Sequence, residues 1–530
     1  MRQSLQKFSN FSANIKSGLT LALVATPGAI SLAVASGVNP AIGMITGIWA
    51  SIVGALFGGS NYNIIGMTGA LTGIIASYGI MYGPEMIPSL TLVAALCMLI
   101  AYLTRLERYL IFIPSSVIHG FTMGVALMLF LGQVNGALGL VNVPKQSKFL
   151  LNVIESLKHV PQFDPHAVLA FAFFFCSLIL LRKLFPKIPG AIVITPLSII
   201  LGYATTSGII PVRLQTLGSQ FGTLHPLLFK MPAFHFNMNL LSPALVVAFI
   251  AILETMLAAK IADVLTKTKH NPRKEMFGLA LANIATAIMG GVPASAALAR
   301  TTYNINAGAT NALSALFSGL FMIVISFACL SFFSYMPVTA IAAIIVYISL
   351  TMVEREHFRR LYTYDKPNFF IALFVALIIV GENPIVGILA GAVMALLILI
   401  NKLAESNYEV AEHESYKIAP SDMRDAKSQN VLVYFFKGKL VYLNSQGHII
   451  RFQHEFKNYA GIILDLHDLY YCDLDGVDAL EEIIDTIKCR GQAIALIAPK
   501  SPVKNMLAKS AHYKTLEESG RVFETLHQAL

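Results

Sequence analysis

Residues Gly290–Ala309 read Gly-Gly-Val-Pro-Ala-Ser-Ala-Ala-Leu-Ala-Arg-Thr-Thr-Tyr-Asn-Ile-Asn-Ala-Gly-Ala. Long apolar segments surround this stretch, yet it is rich in small residues and carries one charge, Arg300. A uniform membrane helix is not written this way. Gly290, Gly291 and Pro293 interrupt regular backbone. Ser295 is a good N-cap type, so a short new helix is expected from Ala296 to about Asn306. A helix that starts inside a bilayer aims free N–H groups and the positive end of its dipole at the membrane centre. Broken backbone at that depth is tolerated only against protein or a watery cavity. With Arg300 beside the start, the natural occupant is an anion. The alternative is a kinked helix whose Arg is paired structurally.

The rest of the chain sets the class. It has 530 residues, 56% hydrophobic and 13% charged, with mean hydropathy +0.67. That composition is expected of a polytopic membrane protein rather than a soluble enzyme. The net charge of +9 lies mostly in short loops, so it is no nucleic-acid signal. Met1–Lys16 is polar and basic, and no cleavable signal peptide is read there. Five cysteines, Cys97, Cys176, Cys329, Cys472 and Cys489, fit neither a metal site nor a disulfide framework. No P-loop, dinucleotide fingerprint or metal triad is present, so neither an enzyme nor a cofactor is expected.

Fourteen apolar spans can be drawn, at 17–36, 40–58, 68–80, 88–104, 110–133, 166–181, 190–208, 243–263, 276–290, 297–308, 312–333, 337–353, 368–381 and 384–402. The third and tenth are too short to cross a core that needs about 20 helical residues. Irregular, Gly-containing sequence precedes each: Gly58–Gly66 in one case, Gly290–Ala294 in the other. They hold the same place in two halves of seven. Matched, interrupted segments of this kind point to a transporter's binding site, and an odd number of spans per half makes the repeats inverted. Basic residues such as Arg105, Arg108, Arg182, Lys183, Arg273, Lys274, Arg359 and Arg360 gather at the ends that an N-in arrangement puts inside. The opposite loops hold only Lys145, Lys148, Lys158, Arg213 and Lys230. Both termini are therefore expected in the cytoplasm.

After residue 403 the composition changes. Residues 404–430 read as a polar linker, and 431–530 as a small soluble α/β domain. Its strand candidates are Val431–Phe436, Ile462–Leu466 and Ala493–Ala498, and its helix candidates Asp478–Cys489 and Pro502–Ser510.

Few ionisable groups fall inside the spans. Glu254 is central in the eighth, and Lys260 and Asp263 follow roughly two turns later. Arg300 opens the tenth, and His119 lies in the fifth. An intramembrane carboxylate is costly and marks function by default. Glu254 can neutralise Arg300 across a cavity, or carry a proton. His119 reads as a packing residue. Thr68 and Thr72 begin the third span, and two facing helix starts suit a small anion. Pro27 kinks the first span.

These segments resemble the sulfate permease family of anion transporters. The resemblance rests on Pro27-Gly28-Ala29-Ile30-Ser31-Leu32, Gly66-Met67-Thr68-Gly69, Glu254-Thr255-Met256-Leu257 with Ala262-Asp263, and His270-Asn271-Pro272-Arg273-Lys274-Glu275. The strongest match is Ala282-Asn283, Gly290–Pro293, Arg300-Thr301, Asn304 and Gly308-Ala309. Leu464–Leu466 and Tyr471–Val477 resemble a STAS domain. The resemblance implies an α-helical polytopic fold of fourteen transmembrane segments in a 7+7 inverted repeat, as in uracil permease. A core domain (spans 1–4 and 8–11) would move against a gate domain (5–7 and 12–14), usually in a homodimer. Domain boundaries follow at 1–403, 404–430 and 431–530. Substrate is implied among Leu32, Thr68, Gly69, Leu298, Ala299 and Arg300, with Glu254 as the proton-coupling group.

Departures from the family pattern carry information. Gly28 and Leu32 replace the family's Gln and aromatic, and Ala299 replaces a Ser. Sodium-coupled bicarbonate members resemble a site with more hydroxyls, whereas Ala258, Ala297, Leu298 and Ala299 have none. Hard cations need several oxygens, so H+ is favoured over Na+. Asp475 stands where phosphorylated STAS domains have Ser, which favours assembly or protein interaction over phosphorylation. The expectation is thus a bacterial-type inner-membrane, proton-coupled transporter of a small anion (sulfate, bicarbonate or a dicarboxylate) with no metal. Rivals are an Na+-coupled bicarbonate symporter, an anion exchanger or channel, a nucleobase–proton symporter, and a membrane-anchored signalling scaffold.

Overall fold

The computed structural model describes residues 2–529 except 109–113, 142, 145, 147–148, 186–188, 354, 383, 405–407, 414–429 and 500–502. Two compact units emerge, Met1–Ala395 and Leu396–Leu530.

Among the described residues each of the fourteen apolar runs has a matching helix, the last of them continuing past Ala395 into the second unit. The first four are α1 Arg2–Ala35, α2 Pro40–Phe57, α3 Gly69–Tyr82 and α4 Ile87–Leu103, with a two-residue strand, β1 Ile65–Gly66, before α3. The next three are α5 Ser115–Leu131, α6 Pro165–Leu184 and α7 Gly190–Thr206. The second half holds α8 Leu241–Thr266 and α9 Pro272–Ile288. A strand, β2 Ser295–Ala296, then leads into α10 Leu298–Asn306. The series closes with α11 Leu313–Cys329, α12 Val338–Met352, α13 Lys366–Gly381 and α14 Pro384–Ala404. Among the described residues, eight helices are long and apolar enough to cross a membrane, and α3, α7, α13 and much of α14 are shorter apolar helices. Residues 110–113, read as the start of the fifth span, lie outside the described residues. Bulky side chains such as Leu169, Ile200 and Leu389 remain exposed, as lipid-facing surface requires.

The helices pack in two groups. α1 packs on α2 and α11, α2 on α9 and α11, α4 on α8 and α9, and α8 on α10. Separately, α5 packs on α12 and α13, and α6 on α7 and α12. Small residues permit the closest approaches. A Cβ on Gly120 of α5 would meet the backbone of Ala372 on α13. The two groups meet where α3 lies against α5, and α1 against α7 and α12.

The chain starts helices where its polar residues can cap them. Asn39 accepts from Ala41 N before α2, and Asn271 accepts from Lys274 N before α9. Ser295 does not act in this way. It belongs to β2, the N-cap of α10 is Ala297, and no side chain caps that start. The Ser295 hydroxyl is engaged elsewhere, which delays the helix by two residues relative to the sequence expectation.

The second unit contains a five-stranded sheet. Its strands are β3 Tyr408–His413, β4 Val431–Phe436, β6 Gly461–Asp465, β8 Ala493–Ile497 and β9 Val522–Phe523, in the order β3-β4-β6-β8-β9. β5 Gly438–Leu440 pairs with β7 Leu469–Cys472. β3 is antiparallel to β4, and the β4, β6, β8 and β9 pairings are parallel. Helices α15 Tyr442–His454 and α16 Leu474–Cys489 pack on one another. β3 falls inside the segment read as linker. Tyr408 stacks on Tyr434 with ring centroids 5.2 Å apart, and the Arg451 guanidinium lies 3.7 Å from the Tyr408 ring. That packing holds the strand on the sheet edge. Asp473 starts α16 by accepting from Gly476 N at 2.9 Å.

Candidate functional site

β1 and β2 run antiparallel, pairing Ile65 with Ala296 and Gly66 with Ser295. Each strand leads within three residues into a short helix. The starts of α3 and α10 are thereby brought together from opposite directions. Neither start has a side-chain cap: Thr68 and Ala297 are both extended and cap nothing. First-turn amides are thus left for a ligand, with the positive ends of two helix dipoles behind them.

Broken backbone within the helix bundle demands substitute partners, because an unpaired buried N–H or C=O is costly. Side chains of neighbouring helices supply them. Val292 N donates to Thr46 Oγ1 at 2.9 Å, Ala294 N to Asn283 Oδ1 at 2.8 Å and Ala296 N to Thr255 Oγ1 at 3.0 Å. Asn283 returns a bond from Nδ2 to Ala294 O at 2.9 Å. Gly290 turns the chain out of α9 at φ +79°, where a Cβ would strike the Lys230 carbonyl.

The matching loop before β1 is held by Glu275 of α9, which is buried. Its Oε2 accepts from Gly59 N at 2.7 Å and Ser60 N at 2.8 Å, and its Oε1 from Asn63 Nδ2 at 2.6 Å. Asn63 Nδ2 also donates to Thr255 O at 3.1 Å. Asn304 of α10 donates to Tyr62 O, and Ser17 of α1 donates to Asn304 Oδ1 at 2.8 Å. One polar spine therefore joins α1, the first broken loop, α8, α9 and α10.

At the centre of the crossing, Thr68, Ser295 and Glu254 meet. Thr68 Oγ1 lies 2.7 Å from Ser295 Oγ. Both approach Glu254 Oε2, Thr68 at 2.9 Å and Ser295 at 2.5 Å. These are three close oxygen–oxygen contacts, and two hydroxyls carry only two protons. A third proton, on the carboxyl, would complete the ring of contacts. On its other side Glu254 lines a cavity of about 50 Å³, with Ala70 of α3, Phe121 and Thr122 of α5, Leu257 of α8, Met352 of α12 and Ile388 of α14. The carboxyl thus sits between the two helix groups.

Arg300 interacts with Glu254 electrostatically rather than by direct contact. Among the described residues no ion pair joins it to Glu254. Its Nη2 donates to Met67 O at 2.8 Å, and a Cβ on Gly66 would stand 2.6 Å from Nη1. The guanidinium is laid over β1 and needs glycine there. Gly69 and Leu298 are half-buried, and Ala299 is exposed, at the two helix starts. Leu32 is buried on α1. It does not line the cavity at Glu254, and neither do Leu298, Ala299 or Arg300. His119 stacks on His357 with centroids 3.6 Å apart. Glu275 and Asn63 were not read as a site from sequence, and Ser295 entered only as an N-cap and, with Thr301, as the nearest hydroxyl on the tenth span. The signal available for Glu275 was a carboxylate in the first turn of a helix that carries no charge beyond it.

Crossed, interrupted helices that meet at a carboxyl between two helix groups define a membrane transporter of the core-and-gate class. Residues 11–375 match the sequence profile of the Sulfate permease family, and residues 423–529 match that of the STAS domain. The chain belongs to the sulfate permease family, a family of anion transporters and not of enzymes. YvdB of Bacillus subtilis is 29% identical over 516 residues, covering 96% of this chain and 94% of that one. The murine Slc26a9 anion transporter in its inward-facing state has the same fold, with TM-score 0.79 and 15% identity, covering 98% and 90% of the two chains. The transmembrane domain of a cyanobacterial bicarbonate transporter, BicA, aligns with TM-score 0.63 and 22% identity, over 73% of this chain and 98% of that one.

Proposed function

We propose that this chain is a secondary transporter that moves a small anion by alternating access, coupled to a proton carried on Glu254. Sulfate, bicarbonate and small dicarboxylates are the substrate class. The observation that carries the reading is the ring of Thr68, Ser295 and Glu254. In it one proton more than the hydroxyls possess completes the contacts. The anion binds at the uncapped starts of α3 and α10, where Gly69, Leu298 and Ala299 offer backbone N–H groups and Thr68, its hydroxyl held in the ring, sets the start of α3. Arg300 supplies positive potential from across β1, and Leu32 closes the side of α1. Protonating Glu254 removes a negative charge beside the anion, so anion and proton favour each other's binding. The likeness to proteins named as bicarbonate and anion transporters supports the substrate class.

The reading places both termini in the cytoplasm of a bacterial-type inner membrane and takes the working unit as a homodimer. Residues 1–403 transport, and 431–530 serve assembly or bind a protein partner. The scarcity of oxygens around Glu254 beyond Thr68 and Ser295 disfavours Na+. The test is uptake of labelled sulfate, bicarbonate, a dicarboxylate and chloride into proteoliposomes, with an inward proton gradient or a Na+ gradient. Accumulation driven by protons and lost in Glu254→Gln is the expected result. Accumulation driven by Na+ alone, or flux that never exceeds equilibrium, overturns the coupling assignment.

A further inference from the structure

A second cavity, of about 750 Å³, opens between α6, α12 and the amphipathic helix Arg355–Tyr364. None of its lining residues belongs to the Glu254 cluster. Arg182 lines it from the last turn of α6, and Arg355 and Arg360 line it from the amphipathic helix. Glu356 is the single carboxylate among the described lining residues. No hydrogen bond or ion pair engages any of the three guanidiniums among the described residues. His357 stands in the same wall, and its Nε2 is buried without a hydrogen-bond partner. Three exposed arginines against one carboxylate leave an excess of positive charge around the hollow, which suits an anionic occupant.

Position narrows the class of anion. α6 carries no Asp, Glu, Lys or Arg from Pro165 to Leu181 and meets its first arginine at Arg182. α12 carries no charged residue and ends at Met352. The cavity therefore lies where the apolar belt gives way to charge. Ile179 and Leu350, which line it, are themselves exposed. A soluble anion has no use for this apolar flank, whereas a lipid has both an anionic head and apolar chains. Planar guanidinium forks match phosphate oxygens two at a time, and basic pockets between membrane helices at this depth suit lipid headgroups.

We propose that this cavity binds the phosphate headgroup of an anionic phospholipid, with Arg182, Arg355 and Arg360 on the phosphate and Ile179 and Leu350 against the chains. A lipid held there clamps the end of α6 to the segment that follows α12.

The test uses the full-length protein in nanodiscs of phosphatidylcholine doped with phosphatidylglycerol, reading lipid retained by native mass spectrometry. The wild type is expected to retain phosphatidylglycerol in preference to phosphatidylcholine. Arg360→Gln, a change at an exposed position, should weaken retention about fivefold, and the triple change of Arg182, Arg355 and Arg360 to Gln should abolish it. Arg359→Gln removes the same charge from the same helix but outside the cavity, and should retain lipid as the wild type does. Millimolar inorganic phosphate should not displace the lipid. Equal loss in Arg359→Gln and Arg360→Gln, or no preference between the two lipids, overturns the site. Displacement by phosphate makes it a site for a soluble anion and overturns the lipid assignment.

Discussion

Thr68 Oγ1 and Ser295 Oγ lie 2.7 Å apart although 227 positions separate them in the chain. Each stands at the entry to one of the two interrupted helices, and both hydroxyls turn to the same Glu254 oxygen. The contact couples the two halves of the transporter at the group proposed to carry the proton.

Glu254→Gln should therefore abolish proton-driven accumulation while leaving anion exchange at equilibrium measurable. Ser295→Ala removes the shorter of the two contacts to the carboxyl. A hydrogen bond between neutral groups contributes about 0.5–1.5 kcal/mol, so initial uptake should fall roughly two- to tenfold. Thr68→Ala removes the longer contact and should cost less. An uptake assay in which Ser295→Ala keeps the wild-type rate and pH dependence would refute the role of the ring.

The Arg300 guanidinium needs Gly66. Arg300→Gln should raise the KM for the anion about tenfold, the order expected for one charge-assisted hydrogen bond. Gly66→Ala inserts a Cβ 2.6 Å from Arg300 Nη1 and should reproduce that increase without touching the charge. Concentration-dependent uptake by the two variants decides the matter. An unchanged KM in Gly66→Ala would show that the placement of Arg300 is immaterial to binding.

Glu275 should matter for stability rather than for substrate. Its carboxylate accepts three N–H groups from residues 59–63. Glu275→Gln places an amide among donors and should destabilise the protein by about 1–3 kcal/mol. Lower thermal stability and yield are expected, with the KM of the surviving folded protein unchanged. A raised KM with wild-type stability would move Glu275 into the binding site.

In the second unit, His448 is buried against Tyr434, whose hydroxyl lies 2.7 Å from Nδ1. Burial, with Arg451 nearby, lowers its pKa to about 4. A depressed histidine pKa means that the unfolded chain binds the proton first. Stability from this residue is full above pH 6.5 and falls as the pH drops toward 4, by roughly 3 kcal/mol in all. Hydrogen exchange in the full-length protein should show β4 and α15 losing protection across that interval. His448→Phe should flatten the response, and an equal response in the variant would assign it to other groups.

The same unit holds Cys472 and Cys489. Burial raises the Cys472 thiol to about 12, whereas Cys489 is exposed. Maleimide at mildly alkaline pH should label Cys489 and spare Cys472, as peptide mapping of the native protein can show. Rapid labelling of Cys472 would contradict the buried placement of β7.

Much of the site could be read from the chain because its parts are local. Gly290–Pro293 forbids a continuous helix by backbone sterics alone, and Arg300 and Glu254 stand out as rare charges in apolar surroundings. The loop Gly58–Gly66 announces the first interruption in the same manner. Ser295 was misjudged as an N-cap because N-capping is the commonest local use of a serine before a helix, and no local rule foretells a carboxyl on α8. Glu275 passed unnoticed because it sits at a helix head, where a carboxylate ordinarily faces water and favours the dipole.

The order of apolar runs, the two broken helices, the change to soluble α/β sequence and the rare intramembrane charges all follow from composition and periodicity, which act over a few residues at a time. The pairing of β1 with β2 does not, nor does the hydrogen bond from Arg300 to Met67, the convergence of Thr68 and Ser295 on one carboxyl, or the gathering of Arg182, Arg355 and Arg360 around one cavity. Those depend on which buried donor finds which buried acceptor. In an apolar interior each polar group takes the partner that packing brings within reach, and packing is a property of the whole fold.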